Sequence, residues 1–285
     1  MIKKGINVWA FPGGTSYKDM FTIAKDAGFE GIELSLCEDG PLGLKSSEKE
    51  ILEVKKMAND MGLQIHSFAS DLAWGNPLTS SNEKTRENAV NYIKRQIEVA
   101  SILGADTILL VPGYVGVDFI PDSEVVFYED AYKRAKEGIS KLVETAEKLK
   151  VAIGIENVWN KFLISAMEMK NFIDEFNSDY VGSYFDVGNV IYMGYPEQWI
   201  KLLGKRIKKV HFKDYRRAAG TLDGFVDLLA GDVNYPAVVE ALKEVGYDSF
   251  CTAEMIPPYK YYPYQIIYNT SASMDAILNR KQFPC

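Results

Sequence analysis

Short runs of β-branched and apolar residues alternate with longer stretches of helical periodicity along the whole sequence, the pattern of repeated βα units around a parallel sheet. Eight runs read as strands: Lys4–Trp9, Gly31–Ser35, Gln64–Ala69, Thr107–Val111, Val151–Glu156, Gly182–Asp186, Lys208–Lys213 and Phe250–Glu254. Between them the spacing predicts helices over Tyr17–Ala27, Glu48–Met61, Glu83–Leu103, Glu129–Leu149, Ala166–Phe176, Pro196–Leu203 and Tyr235–Val245, with a closing helix over Pro263–Asn279. The segments DAGFEGIEL, DMGLQIHSF, ILGADTILL and EVGYDSFCTAE repeat one device, a helix end, a glycine and a strand.

The chain has 285 residues and no low-complexity tract or abrupt change of composition, close to the roughly 250 residues of an eight-unit barrel with modest insertions. These features predict a single (β/α)8 TIM-barrel domain over residues 1–285. The longer loops, around Cys37–Ser47, Ser70–Asn82, Gly113–Tyr128 and Asp214–Asn234, all follow strands, the end where such barrels build their sites. A doubly wound open sheet would also alternate strands and helices, but Phe11-Pro12-Gly13-Gly14-Thr15 after the first strand lacks the spacing of a dinucleotide-binding turn.

With 32 basic and 39 acidic residues the net charge is −7, which leaves no electrostatic footprint for nucleic acid. The amino terminus has no apolar segment of signal-peptide length, and no run of 18 apolar residues follows, so the expectation is a cytoplasmic protein with no membrane partner. Cys37, Cys251 and Cys285 are widely spread and read as free thiols, Cys251 buried in a strand.

Composition leaves the chemistry open; the strand ends narrow it. IGIEN, SYFDVGN, VHFKD and CTAEM place Glu156, Asp186, His211 and Glu254 at the carboxyl ends of the last four strands, 30, 25 and 43 residues apart. Only a closed parallel sheet brings such distant positions together. Strand alternation points Ala152, Gly154 and Glu156 inward and Val151, Ile153 and Ile155 towards the helices; it likewise turns His211 and Lys213 inward. Three carboxylates and one imidazole on an inward face call for a counter-charge, and the set suits one divalent metal ion, Mn²⁺ foremost, with Mg²⁺, Co²⁺ or Zn²⁺ also accommodated.

Other residues are candidates for substrate contact. Lys213 shares the inward face and would hold a substrate oxygen or pair with a carboxylate. His66, in QIHSF, would line the pocket or serve as a structural histidine. Trp9, Phe68, Trp74 and Trp159 would give an apolar wall for a sugar, or act as core and loop anchors. Arg216 and Arg217 form a cationic pair able to read a phosphate, or a plain surface pair.

The motifs IENVWNKF, YFDVGN, VHFKDYRRAAGTLDGF and TAEM resemble those of the xylose isomerase-like TIM-barrel superfamily over nearly the whole chain. The resemblance is to its sugar-phosphate isomerase/epimerase group, including ketose 3-epimerases and hexulose-6-phosphate isomerase-like proteins. It implies that Glu156, Asp186, His211 and Glu254 bind the metal and that Glu156 and Glu254 are the catalytic acid–base pair. It also implies that Arg217 contacts substrate and that the protein forms a homodimer or homotetramer. Asn189 stands where the ketose 3-epimerases have a histidine, as in epimerases of phosphorylated ketoses, and is a further candidate substrate contact. The stretch Trp159–Leu163 lacks the second glutamate of the ketose 3-epimerases.

The expected activity is 3-epimerisation of a ketose or ketose phosphate through a metal-stabilised enediolate. An aldose–ketose isomerase, which reprotonates the neighbouring carbon, and an inositol-type dehydratase or lyase are the alternatives. A non-catalytic sugar-binding barrel is a third class. An abasic-site endonuclease would need a histidine-rich zinc cluster, and two histidines in an acidic chain argue strongly against that reading.

Overall fold

A computed structural model describes residues 1–280 of the chain. Its strands are β1 (Lys3–Asn7), β2 (Gly31–Leu36), β3 (Gln64–Ser70), β4 (Thr107–Leu110), β5 (Ala152–Glu156), β6 (Val181–Asp186), β7 (Ile207–Phe212) and, after a two-stranded hairpin of β8 (Asp214–Tyr215) and β9 (Phe225–Val226), β10 (Phe250–Ala253). The eight longer strands are all parallel and close in the order β1-β10-β7-β6-β5-β4-β3-β2, so the chain forms a (β/α)8 barrel. Around them run α1 (Tyr17–Asp26), α2 (Glu48–Asp60), α3 (Glu83–Leu103), α4 (Tyr128–Ser140), α5 (Val143–Leu149), α6 (Ala166–Asp174), α7 (Val187–Val190), α8 (Pro196–Leu203), α9 (Tyr235–Glu244) and α10 (Gln265–Ile277).

The alternation expected of β5 and β7 holds. Ile153, Ile155, Val210 and Phe212 are buried in the main core, where Phe212 meets Tyr235 of α9 at 5.1 Å between ring centroids. Gly104 ends α3 at φ 85°, a left-handed position that only glycine takes without strain, and turns the chain directly into β4. Two local features differ from expectation. The helix foreseen over Glu129–Leu149 is broken into α4 and α5, where Leu142 N–H reaches back to Ile139 O in a tight turn. The segment after β7 is not a plain loop: β8 and β9 pair antiparallel and hold it against the barrel mouth.

Cys251 is buried in β10, as foreseen, whereas Cys37 is exposed; Cys285 lies outside the described residues. No helix among the described residues is long and apolar enough to cross a membrane.

Candidate metal centre and sugar cavity

The four strand-end residues meet. Glu156 and Asp186 are the last residues of β5 and β6, His211 is the penultimate residue of β7, and Glu254 immediately follows β10. Register sets Asp186 beside His211, and Glu254 N–H continues the pairing with β7 through Phe212 O at 3.2 Å. One ligand atom from each of the four lies within 4.8 Å of the others, and all four side chains are buried.

Three of their polar atoms make no hydrogen bond. Asp186 Oδ2, His211 Nδ1 and Glu254 Oε2 are buried without a hydrogen bond. His211 Nδ1 does lie 2.7 Å from Glu254 Oε2, without hydrogen-bond geometry, and 3.7 and 3.8 Å from Glu156 Oε1 and Asp186 Oδ2, beyond hydrogen-bond distance. An imidazole nitrogen and carboxylate oxygens crowded round one point repel unless a positive charge stands among them. A proton on Nδ1 meets that need in the metal-free chain, and a divalent cation meets it with all four donors at once. The donor set and the unpartnered atoms therefore fit a cation of the hard to borderline class.

The other nitrogen of His211 identifies a residue that strand-end reasoning passed over. Nε2 lies 2.8 Å from Oε1 of Glu33, a fully buried carboxylate of β2. Glu33 also accepts hydrogen bonds from Asn7 Nδ2 at 2.5 Å, from Ser67 Oγ at 2.7 Å and from the Tyr184 hydroxyl. With Nε2–H donated to Glu33, Nδ1 is the nitrogen turned to the cluster. The signal was present in the sequence, since Gly31, Glu33 and Ser35 share the inward face of β2. Asn157 was also missed. It exchanges hydrogen bonds with the Asp186 backbone at 2.8 and 2.9 Å and accepts from Asn189 Nδ2 at 2.9 Å, fixing the turn that presents Asp186.

Burial sets the electrostatics. It raises the Glu156 carboxyl above the usual carboxylate range, with Glu254 nearby adding to the shift. Burial would do the same to Glu254, but the Lys213 ammonium and the His211 ring outweigh it and lower that carboxyl. Burial likewise opposes charge on His211, yet Glu33 and Glu254 prevail and hold the ring well above the ordinary histidine value. Lys213 Nζ stands 2.8 Å from Glu254 Oε2 and 3.2 Å from Asp186 Oδ2.

A cavity of about 920 Å³ opens over the cluster, with Glu156, Lys213 and Glu254 in its lining. Trp9, Trp74, Trp159 and Asn189 line it as well, and Phe119 and Phe225 extend the aromatic wall. Trp159 is anchored by its indole N–H to Asn189 O at 3.0 Å, and Trp74 packs edge-on to Phe119 at 4.9 Å. Four other candidates lie elsewhere, among them Arg216, whose Nε donates to Ala230 O at 2.9 Å. His66 is sealed inside the barrel below the cluster, stacked on Phe250 at 4.1 Å, with Nδ1 2.9 Å from Ser67 Oγ. Burial lowers its pKa far below the ordinary value, so it is a neutral core histidine. Phe68 is buried in the core. Arg217 is turned away by two carbonyl acceptors: Nε donates to Ile191 O at 2.8 Å and Nη2 to Gly194 O at 3.2 Å, while the guanidinium stacks 5.0 Å over Tyr195.

A closed parallel barrel with a carboxylate-rich cation cluster at the carboxyl ends of its strands defines the class. Residues 21–271 match the model of the xylose isomerase-like TIM barrel family, and the chain belongs to that family. L-ribulose-5-phosphate 3-epimerase UlaE of Escherichia coli K12 is 24% identical over 253 residues, covering 86% of this chain and 84% of that protein. Among solved structures, a D-tagatose 3-epimerase-like protein superposes with a TM-score of 0.79 at 22% identity, covering 98% of both chains. The IOLI protein with a bound zinc atom superposes at 0.78 with 19% identity, covering 99% of this chain and all of that one.

Proposed function

We propose that this chain is an isomerase-class enzyme that inverts carbon 3 of a ketose, using one divalent cation held by Glu156, Asp186, His211 and Glu254. The observation that carries the proposal is the convergence of four buried ligand atoms, three of them without hydrogen bonds, beneath a cavity of about 920 Å³ with aromatic walls. Epimerases among the relatives and structural neighbours support the reaction class, and the zinc-bearing neighbour supports a metal.

When bound, a divalent cation supplies Lewis-acid polarisation of the ketose carbonyl, which makes the proton on the adjacent carbon acidic. The chain's own residues do the rest. Glu156 and Glu254 stand at the ends of β5 and β10, with β6 and β7 between them, so they flank the cluster from two sides. One carboxylate takes the C3 proton and the C3–H electron pair moves towards the carbonyl oxygen. The other, starting as the protonated acid that the raised Glu156 carboxyl favours, gives its proton to the opposite face of the planar carbon as the electron pair returns from the carbonyl oxygen, and the configuration inverts. Asp186 and His211 serve as ligands, held by Asn157 and Glu33. The aromatic walls position the sugar and keep bulk water from the reacting carbon.

Product analysis tests this reading. The Mn²⁺-loaded protein is incubated with a panel of ketopentoses, ketohexoses and their phosphates, and the products are resolved by NMR. A C3 epimer is the expected product. An aldose would establish isomerisation to the neighbouring carbon instead, and loss of water would establish a dehydratase.

A further inference from the structure

Resting on the proposed ketose epimerisation, we infer that the cavity takes an unphosphorylated ketose and rejects its phosphate ester, with Asp71, Asp214, Asp223 and Asp227 as the residues that set this choice. The inference starts from the cations. Lys213 is the one lysine lining the cavity, and no arginine or histidine lines it among the described residues. The Lys213 ammonium is already taken by Glu254 and Asp186. Neither Arg216 nor Arg217 lines the cavity: Arg217 donates to the carbonyls of Ile191 and Gly194, and Arg216 donates through Nε to Ala230 O at 2.9 Å.

Backbone amides are the other means of holding a phosphate, and barrels of this architecture often offer them in the loops after the seventh and eighth strands. Here the amides after the seventh barrel strand are filled from within. The Asp214 carboxylate accepts N–H groups from Tyr215 at 2.9 Å, Leu229 at 2.9 Å, Gly231 at 3.1 Å and Val233 at 3.1 Å. The fit is close, since a Cβ at Gly231 would stand 2.2 Å from Asp214 Oδ1. The chain's own carboxylate thus occupies the cradle that an anionic ligand would need.

The remaining lining carries the same sign. Asp71, Asp223 and Asp227 face the cavity along with Asp214. Three cluster carboxylates are balanced by Lys213 and a divalent cation, so these further aspartates leave the mouth negative. A phosphate monoester, near −2 at neutral pH, would enter without a free cationic side chain among the described lining residues to balance it. The hydroxyls of an uncharged sugar suit the same carboxylates as donors, and its apolar faces suit Trp9, Trp74 and Phe225.

The test compares kcat/KM for a ketose and the same ketose carrying a terminal phosphate, at low and high ionic strength. The free sugar is expected to win by at least about 100-fold at low salt, from repulsion by several carboxylates at short range. The gap should narrow as salt screens those charges, and should shrink in Asp71→Asn/Asp223→Asn. A phosphate ester turned over as well as the free sugar overturns the inference and leaves the epimerase reading intact. If neither sugar reacts, the epimerase reading fails, and calorimetric titration of the metal-free protein with a polyol and its phosphate decides the inference separately. Preference for the polyol supports it; equal or tighter binding of the phosphate overturns it.

Discussion

His211 Nε2 and Glu33 Oε1 lie 2.8 Å apart in the sealed interior of the barrel, and this contact decides which nitrogen of the imidazole faces the cation cluster. Glu33 is itself held by Asn7, Ser67 and Tyr184, so the ring is fixed by a network that begins on β1, β3 and β6. Substituting Glu33→Gln keeps the shape but replaces one acceptor oxygen by a donor facing donors. Loss of such an outer partner costs about 10- to 100-fold in metal affinity. Calorimetric titration with Mn²⁺ and the visible spectrum of the Co²⁺ form should show the weaker affinity and an altered coordination environment, with the barrel retained by circular dichroism. Unchanged affinity and an unchanged Co²⁺ spectrum would contradict the assignment.

Proton traffic follows from the same contact. In the metal-free chain Glu33 and Glu254 outweigh burial and hold His211 well above its ordinary pKa, so the ring is protonated at neutral pH. With Nε2–H held by Glu33, the proton that a cation must displace is on Nδ1. Metal uptake at pH 7 should therefore release the His211 proton and part of another from Glu156, whose carboxyl burial pushes up to about 7, and affinity should weaken as pH falls. Calorimetry in buffers of different ionisation enthalpy measures the release directly. Stability has the matching sign: a raised histidine pKa stabilises the metal-free fold below the unfolded value near 6.5, and that contribution is lost as pH rises through the folded value.

The barrel itself was legible because buried parallel strands and amphipathic helices differ in period, and all eight barrel strands fall within a residue or two of their expected bounds. The convergence of the four residues was legible for a related reason: a carboxylate or histidine at the inward end of each of four strands of a closed barrel must meet the others. Glu33 was hidden because it sits within β2 rather than at its end, and its partner is 178 residues away. Of the two roles open to His66 the structural one holds, because it is only the third residue of β3 and is buried against Phe250 and Ser67. Arg217 shows the limit of sequence adjacency: its place after β7 is as read, but its direction is set by carbonyls of Ile191 and Gly194, which no local pattern reveals.

Lys213 is the cluster's internal counter-ion, and removing it separates metal-free from metal-bound stability. Lys213→Met leaves Asp186 and Glu254 without their nearest ammonium, a change of the kind that costs about 3–5 kcal/mol when a buried pair is broken. A divalent cation restores positive charge at the same place. The variant should melt well below the parent in chelator and recover a larger share of that loss on Mn²⁺ addition than the parent gains, as read by thermal unfolding.

Asp214 organises the loop that carries Phe225 and Asp227 into the cavity. Asp214→Ala removes one acceptor from four backbone N–H groups, and a loss of about 2–4 kcal/mol is expected from the unsatisfied donors. The effect on catalysis should fall mainly on KM, because the loop shapes the cavity wall while Glu156 and Glu254 are held by β5 and β10. Denaturant unfolding and steady-state kinetics check the two parts.

In the proposed reaction Glu156 and Glu254 exchange a proton at carbon 3 of a ketose beside a bound cation. NMR of the Mn²⁺-loaded protein with a free ketose in D₂O tests it most directly, read beside Glu156→Gln and Glu254→Gln. The account expects deuterium at C3 in parallel with the new epimer, and loss of epimer formation by several orders of magnitude in each variant with the fold intact. Epimer formed without deuterium at C3, or undiminished activity in both variants, would contradict it.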